Sequence, residues 1–311
     1  MEQSKQHRIL IAGATGLIGR ALVKNFLKQG VKINFLTTAK TKIISTPEMQ
    51  GFYWNPMEGE MDKLALDGVD AIINLAGSPI DQRWTDKAKH AIYNSRISSN
   101  ETLFECLREV PNQVKQLICA SAIGIYPTDN KSSFDESFET EEPNGFLQSV
   151  VAEWEASTRV FESLDIPTAR IRIGLVLSNE GGVLKKLKSL VQWGVLSPMG
   201  SGNQWQSWIH IDDLVKLFNF TLDQQISGAV NAVAPEPVTN QYMISAIAGS
   251  MGRKVLLPAV PSIILKIVLG DMSEIILNGQ KVEPKLLLNK GFEFDYQTIN
   301  DALSHLAKIQ K

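Results

Sequence analysis

The sequence predicts an α/β fold: a doubly wound parallel sheet followed by a smaller C-terminal α/β lobe. Three observations carry this. A short apolar run at 8–12 leads into glycines at 13, 16 and 19, and then into a helical stretch. Further apolar runs of strand length then alternate with helix-length amphipathic stretches across short turns, the pattern of parallel strands joined by crossover helices. Beyond residue 180 this alternation loosens into glycine-rich and aromatic segments. A chain of 311 residues that is 44% hydrophobic can bury one large core and a second smaller one.

The first unit is the most informative. Ile9, Leu10 and Ile11 are apolar without alternation, as a strand covered on both faces requires. Ile18, Leu22 and Phe26 recur every four residues with Val23 and Leu27 beside them, and Gly30 ends the helix. Strand, glycine turn and helix form the first half of a Rossmann-type dinucleotide-binding βαβ unit. Gly13 permits the tight turn, Gly16 lets backbone approach a pyrophosphate, and Gly19 lets helix and strand pack closely. The phosphates then meet free N–H groups at a positive helix N-terminus. This assigns Gly13, Thr15, Gly16, Leu17, Ile18 and Gly19 to cofactor binding.

A second strand over 31–36 ends in Thr37, Thr38, Ala39 and Lys40. A site selecting NAD commonly places an acid here to hold the ribose 2′-hydroxyl. The next acid is Glu48, whereas hydroxyls and a lysine suit a 2′-phosphate, so NADP (NADPH) is favoured; the other reading is the start of a polar loop. A short strand is expected over 51–54 and a clearer one over 69–77, ending in Leu75, Ala76 and Gly77. Those three add to the cofactor set, because ligands of open α/β sheets gather at carboxyl edges.

A helix follows over 85–110, capped by Thr85, with Ile92, Ile97, Leu103 and Leu107 as its core positions. Next come a strand at 115–121, an acidic solvated loop at 135–142, a helix over 146–164, and a strand over 168–177 bearing Arg170 and Arg172. Residues 1–180 thus read as the NADP-binding domain, with part of the later chain returning to it. Residues 181–311 read as a substrate-side lobe. There Gly181 and Gly182 precede a helix at 183–193, and a glycine-rich turn leads through an aromatic strand to Asp212 and Asp213 at a helix start. A strand at 228–234 and a helix at 239–251, capped by Thr239, follow.

Composition excludes several classes. The formal net charge is −2 with no basic block, which argues against nucleic-acid binding. Cys106 and Cys119 read as small core residues in a reducing compartment. The polar start at 1–7 has no signal-peptide character, and the apolar stretch 255–270 is broken by Pro258, Pro261 and Lys266. A cytoplasmic monomer or homodimer is expected, with a small-molecule substrate and neither membrane nor nucleic-acid partner. The four histidines show no ligand spacing, so no metal is expected, and His210 between Ile209 and Ile211 reads as structural.

Six motifs run nearly the length of the chain: Gly-Ala-Thr-Gly-Leu-Ile-Gly at 13–19, Asn-Leu-Ala-Gly at 74–77, Arg-Trp-Thr at 83–85, Ser-Arg-Ile at 95–97, Trp-Ile-His-Ile-Asp-Asp-Leu at 208–214 and Gln-Lys-Val-Glu-Pro-Lys-Leu-Leu at 280–287. Together they resemble the extended short-chain dehydrogenase/reductase superfamily, in its NAD(P)-dependent, nucleoside-diphosphate-sugar-epimerase-like subfamily with a C-terminal domain of unknown function. The resemblance implies oxidoreductase or epimerase chemistry and places 74–77 near the adenosine ribose and diphosphate.

That superfamily normally uses a tyrosine acid/base with a lysine four residues on, the cation lowering the phenol pKa from about 10. Four residues after Tyr53, Tyr93, Tyr126, Tyr242 and Tyr296 stand Met57, Ile97, Asn130, Ala246 and Asn300, so the pair is missing. Register against Ala152-Glu153-Trp154-Glu155 places the two slots near Leu147 and Val151, and the companion hydroxyl slot on Ala122, beside Ser121. Tyr126 and Ser121 are then the candidate catalytic residues, with packing under the acidic loop as the alternative for Tyr126. Arg83 and Trp84 are candidate substrate residues, an anion clamp and the indole beside it, with helix capping and core packing as the alternative. Two functions fit: an NADP(H)-dependent oxidoreductase or epimerase, or a non-catalytic NADP(H)-binding redox sensor.

Overall fold

In the computed structural model, which describes residues 7–139 and 142–308, the first strand shows how both faces of the sheet are covered. In β1 (Arg8–Ala12), Ile9 and Ile11 enter one core cluster while Leu10 and Ala12 enter another. This is the period-two alternation of a strand with helices on both sides. The polar start at 1–6 and residues 140–141 of the acidic loop lie outside the described residues.

The main sheet contains β2 (Lys32–Thr37), β3 (Met49–Asn55), β4 (Glu60–Met61), β5 (Ala71–Asn74), β6 (Gln116–Ala122), β7 (Thr168–Ile173) and β8 (Gly228–Ala232). Its spatial order is β8-β7-β6-β5-β1-β2-β3-β4, parallel except for the β3–β4 pair. The chain runs outward from β1 through β2 and β3, then crosses to β5 and runs the other way. Its topological switch point is therefore the gap between β1 and β5, where an open α/β sheet has a crevice at its carboxyl edge.

On one face α1 (Leu17–Lys28) and α5 (Ile211–Asp223) pack together over Ile9, Ile11, Ile33 and Ile171. On the other, α2 (Asp86–Glu109) covers Leu10, Leu36 and Leu117 with Leu103 and Leu107. Thr85 caps α2 by accepting the Ala88 N–H at 3.2 Å. Ile92 is buried as expected, but Ile97 is only half-buried: the inward positions of that turn belong to Ser99 and Asn100, which bond the Asn74 side chain.

Two expected elements are shorter than their sequence patterns. The helix over 146–164 stops as α3 (Phe146–Ala156), and a 3-10 turn takes Arg159–Leu164. The Ser157 and Thr158 hydroxyls fold back onto the carbonyls of Trp154 and Glu155, both at 2.7 Å, competing with continued helix. The strand over 168–177 breaks at Gly174, because a Cβ there would overlap the Ser207 carbonyl. Gly174 bonds β8 through Ala232, while Leu175 turns to Ser207, starting the separate strand Leu175–Leu177.

The remaining core lies between α4 (Gly182–Gln192), α6 (Asn240–Ser250) and a terminal helix (Ile299–Lys308), around Trp208, Ile244 and Leu303. Cys106 and Cys119 are buried free thiols. Among the described residues, no helix is long and apolar enough to cross a membrane.

Candidate functional site

The glycine turn occupies the switch point. Gly13 has φ +81°, a region L side chains avoid, and a Cβ there would lie 2.8 Å from the Leu75 carbonyl oxygen. A Cβ at Gly19 would overlap the backbone of Gly13 and Ala14, so α1 and β1 approach as only glycine allows. Gly16 is the N-cap and has no side chain to satisfy the first turn, which also contains no acid. The first helical bond is Arg20 N–H to Gly16 O at 3.0 Å. The N–H groups of Leu17, Ile18 and Gly19 therefore have no intrahelical acceptor and point out of a positive helix end. Thr15 is exposed, with its carbonyl held by Arg20 Nη1 at 2.7 Å. The Leu17 side chain faces Gly181 and Gly182, where a Cβ would meet it at 3.4 and 3.2 Å.

At the end of β2, Thr37 is buried and its hydroxyl accepts the Ala39 N–H at 3.2 Å. Thr38 and Lys40 are exposed, and the Lys40 ammonium lies 4.7 Å over the Tyr53 ring. Thr38 and Lys40 are thus both solvent-facing at the end of β2, while Thr37 serves its own turn. Across the switch point, Leu75 N–H bonds Ala12 O at 2.9 Å and Ala76 N–H bonds the Asn74 side chain at 3.1 Å, fixing the 75–77 edge against β1.

The hydroxyls of Ser121 and Tyr126 are turned toward interior partners. The Ser121 hydroxyl donates to Glu155 Oε1 at 2.6 Å, and Glu155 also takes a bidentate pair from Arg172 at 2.8 and 2.9 Å. The Tyr126 hydroxyl accepts from Arg172 Nη1 and donates to Asn231 Oδ1, both at 2.8 Å. Its ring is 1% exposed and stacks on Phe134. Burial pushes the Tyr126 pKa up, partly opposed by Arg172. Burial also pulls on Arg172, but the hydrogen bond and charge of Glu155 outweigh it and hold the guanidinium above its ordinary value. These side chains knit β6, α3, β7 and β8 together. The hydroxyls of Tyr126 and Ser121, the candidate catalytic residues, are thus both engaged with interior partners.

Trp84 is likewise interior, 6% exposed, donating Nε1–H to Ile80 O at 3.0 Å and meeting Phe146 edge-on. This is the core packing given as the alternative for Trp84. Arg83 is exposed and does not border the cleft described next.

A cleft of about 340 Å³ opens between Gly124–Thr128, the start of α3 and residues 274–280. Leu147, at the vacant tyrosine slot, borders it, as do Thr128, Asn144, Asn278 and Gln280. Among the described residues, the titratable ones bordering it are Tyr126, whose side chain is buried, and Glu274, whose carboxylate has no hydrogen-bond partner among them. Sequence reasoning missed Glu274 because a lone acid in an irregular segment gives no periodic signal.

The fold also gathers His210, Asp212 and His305, whose ligand atoms lie within 4.8 Å of one another. His210 Nδ1 accepts the Asp212 N–H at 3.0 Å and so caps α5. In a neutral ring Nε2 then carries the proton and donates to His305 Nδ1 at 3.3 Å. A cation at Nε2 would have to displace that proton while Nδ1 stays an acceptor, leaving the ring with none. The trio is therefore a hydrogen-bonded cap by its proton inventory.

Known proteins resemble the chain over nearly its whole length. An epimerase family protein of Staphylococcus epidermidis is 36% identical over 302 residues, covering 97% of this chain and 99% of the relative. A chloroplastic epimerase family protein of Arabidopsis thaliana is 35% identical, covering 97% and 87%. The crystal structure of human epimerase family protein SDR39U1 with NADPH matches at a TM-score of 0.83 and 26% identity, covering 97% of this chain and 99% of that one. Residues 260–306 match a domain of unknown function, DUF1731. Residues 9–233 match the model of the NAD dependent epimerase/dehydratase family, and the chain belongs to that family.

Proposed function

We propose that the protein is an NADP(H)-dependent oxidoreductase or epimerase-like enzyme acting on a small molecule without a tyrosine–lysine pair. The close approach of Gly13 to Leu75, beside the uncapped start of α1, carries the reading: it leaves a backbone surface with free N–H groups where a diphosphate can lie. Thr38 and Lys40 offer donors and a positive charge to a 2′-phosphate, with no acid beside them. The structure of the human relative, solved with NADPH, supports the same cofactor.

Bound there, the dinucleotide supplies hydride transfer. The chain's own residues hold it, exclude water with Leu147, and orient a substrate through Thr128, Asn144 and Asn278. Glu274, the one carboxylate bordering the cleft among the described residues, is assigned the proton at the reacting oxygen. The test is turnover of a panel of aldehydes, ketones and nucleotide sugars, followed by nicotinamide absorbance for reduction and by product sugar analysis for epimerisation. Turnover that Glu274→Gln lowers by about 10²–10⁴-fold is expected. Unchanged turnover in the variant would remove Glu274 from the mechanism.

A second reading, an NADP(H)-binding redox sensor without turnover, is favoured by the vacant slots at Leu147 and Val151. Tight NADPH binding with no turnover across the panel would select it.

A further inference from the structure

Helix α2 carries a guanidinium without a counter-ion. Arg96 Nη1 donates to the carbonyls of Ile92 at 2.8 Å and Ser78 at 3.3 Å, and its Cζ lies 4.9 Å from the centre of the Trp154 ring. No carboxylate among the described residues lies within ion-pair distance, and Nε and Nη2 donate to none of those residues. Both nitrogens reach solvent, because the only sealed side-chain polar atom lacking a partner among the described residues is Arg170 Nε. Burial draws the Arg96 pKa down to about 10, with no acid opposing it. Arg172 and Arg170, by contrast, share Glu155. A largely buried cation without an anion is costly to keep.

The surroundings shape an opening for one. A Cβ at Gly77 would stand 3.2 Å from Arg96 Cζ and 3.4 Å from Nη1, so the missing side chain makes the room the guanidinium occupies. Ser95 Oγ accepts the Ser78 N–H at 2.8 Å while Arg96 takes the Ser78 carbonyl, so consecutive residues of α2 hold the backbone of Ser78 on both sides. The Trp154 indole packs against the guanidinium. This edge lies two residues beyond Leu75, the neighbour of Gly13. Trp154 stands three residues beyond Val151, so the cation flanks the helix on which the superfamily's lysine is missing.

We propose that Arg96, seated on Trp154 against Gly77, is an oxyanion-binding residue at the 75–78 edge beyond β5. Its free edge takes a phosphate or carboxylate oxygen, supplied by the dinucleotide's diphosphate or by an anionic substrate group. A planar fork matches either geometry bidentately, which a lysine does not. The proposal deepens the cofactor reading and rests on it.

The test uses the full chain with Arg96→Met and Arg96→Lys, folding being checked by thermal melts. NADPH, ADP-ribose and 2′,5′-ADP are titrated into each protein, and inorganic phosphate into the NADPH-saturated protein. If the diphosphate is the partner, Arg96→Met weakens NADPH and ADP-ribose at least tenfold, leaves 2′,5′-ADP within twofold, and Arg96→Lys recovers part of the loss. If a substrate anion is the partner, the nucleotides stay within twofold and phosphate binding falls at least tenfold. All four ligands unchanged in a folded Arg96→Met would overturn the proposal and leave Arg96 as a latch on Ser78. Should Arg96→Met not fold, Arg96→Lys is expected to weaken the same ligand three- to tenfold, and no change there overturns it equally. Failure of wild type to bind NADPH would instead sink the cofactor reading, and phosphate titration of the unloaded protein would still test Arg96.

Discussion

Gly13 faces Leu75 so closely that a Cβ on the glycine would lie 2.8 Å from the leucine carbonyl oxygen and 3.1 Å from its Cβ. Strands β1 and β5 are thereby held together at the sheet's switch point, with the glycine in left-handed backbone at φ +81°. Gly13→Val meets both constraints at once and is expected to abolish NADPH binding in calorimetry. Gly59→Ala is the matched control: φ is +68°, but nothing lies within 4 Å of the added Cβ. It should cost only the backbone strain, about 1–2 kcal/mol, and leave NADPH affinity unchanged. Equal loss in both variants would show that strain, not the site, is being measured.

Tyr126 tests the buried network. Tyr126→Phe removes the acceptor of Arg172 Nη1 and the donor to Asn231, and should lower stability by about 1–3 kcal/mol in denaturant melts. Turnover should stay within a small factor of wild type. A loss of about 10²–10⁴-fold with unchanged stability would restore Tyr126 as the proton donor.

His210 predicts a pH dependence. Burial, then the neighbouring His305, push its pKa down to about 4 from 6.5, with Asp295 opposing weakly. The unfolded chain therefore takes up this proton near pH 6.5 and the folded chain only near pH 4. The stabilisation is fully present above pH 6.5, is lost as pH falls through the window to 4, and amounts to about 3 kcal/mol at most. His210→Asn keeps a helix cap without a titrating ring, and should flatten that part of the stability–pH curve. An unchanged slope in the variant would assign the titration elsewhere.

Much of the fold was legible because its signals are local. The 13–19 glycines, the caps at Thr85 and Thr239, and the doubly apolar strand β1 each state their structure within a few residues. The misses were three-dimensional. Ser157 and Thr158 end α3 through bonds that a helical pattern does not display, and Gly174 breaks a strand because Ser207, thirty-three residues away, presses on it. The candidate site divides the same way. The glycine turn was readable, whereas Tyr126 and Ser121 looked available until Glu155, Arg172 and Asn231 arrived from other elements. Arg96 left one trace: Ser95 to Asn100 interrupts the apolar stripe of α2 between Ile92 and Leu103 with polar side chains that face inward.

Under the proposed function, cofactor choice turns on Thr38 and Lys40, both exposed at the end of β2. Thr38→Asp places a like charge beside the 2′-phosphate and a grip for a free 2′-hydroxyl. It should reverse the preference between NADPH and NADH in competitive titration. A preference unmoved by the new carboxylate would place the phosphate elsewhere.

Titrating NADPH and NADH into the wild-type protein at one moderate salt concentration tests the central claim most directly. A charge-assisted contact to phosphate is worth about 1.5–3 kcal/mol, so NADPH is predicted to bind roughly ten- to a hundredfold more tightly. Equal affinities, or no binding of either dinucleotide, would contradict the account.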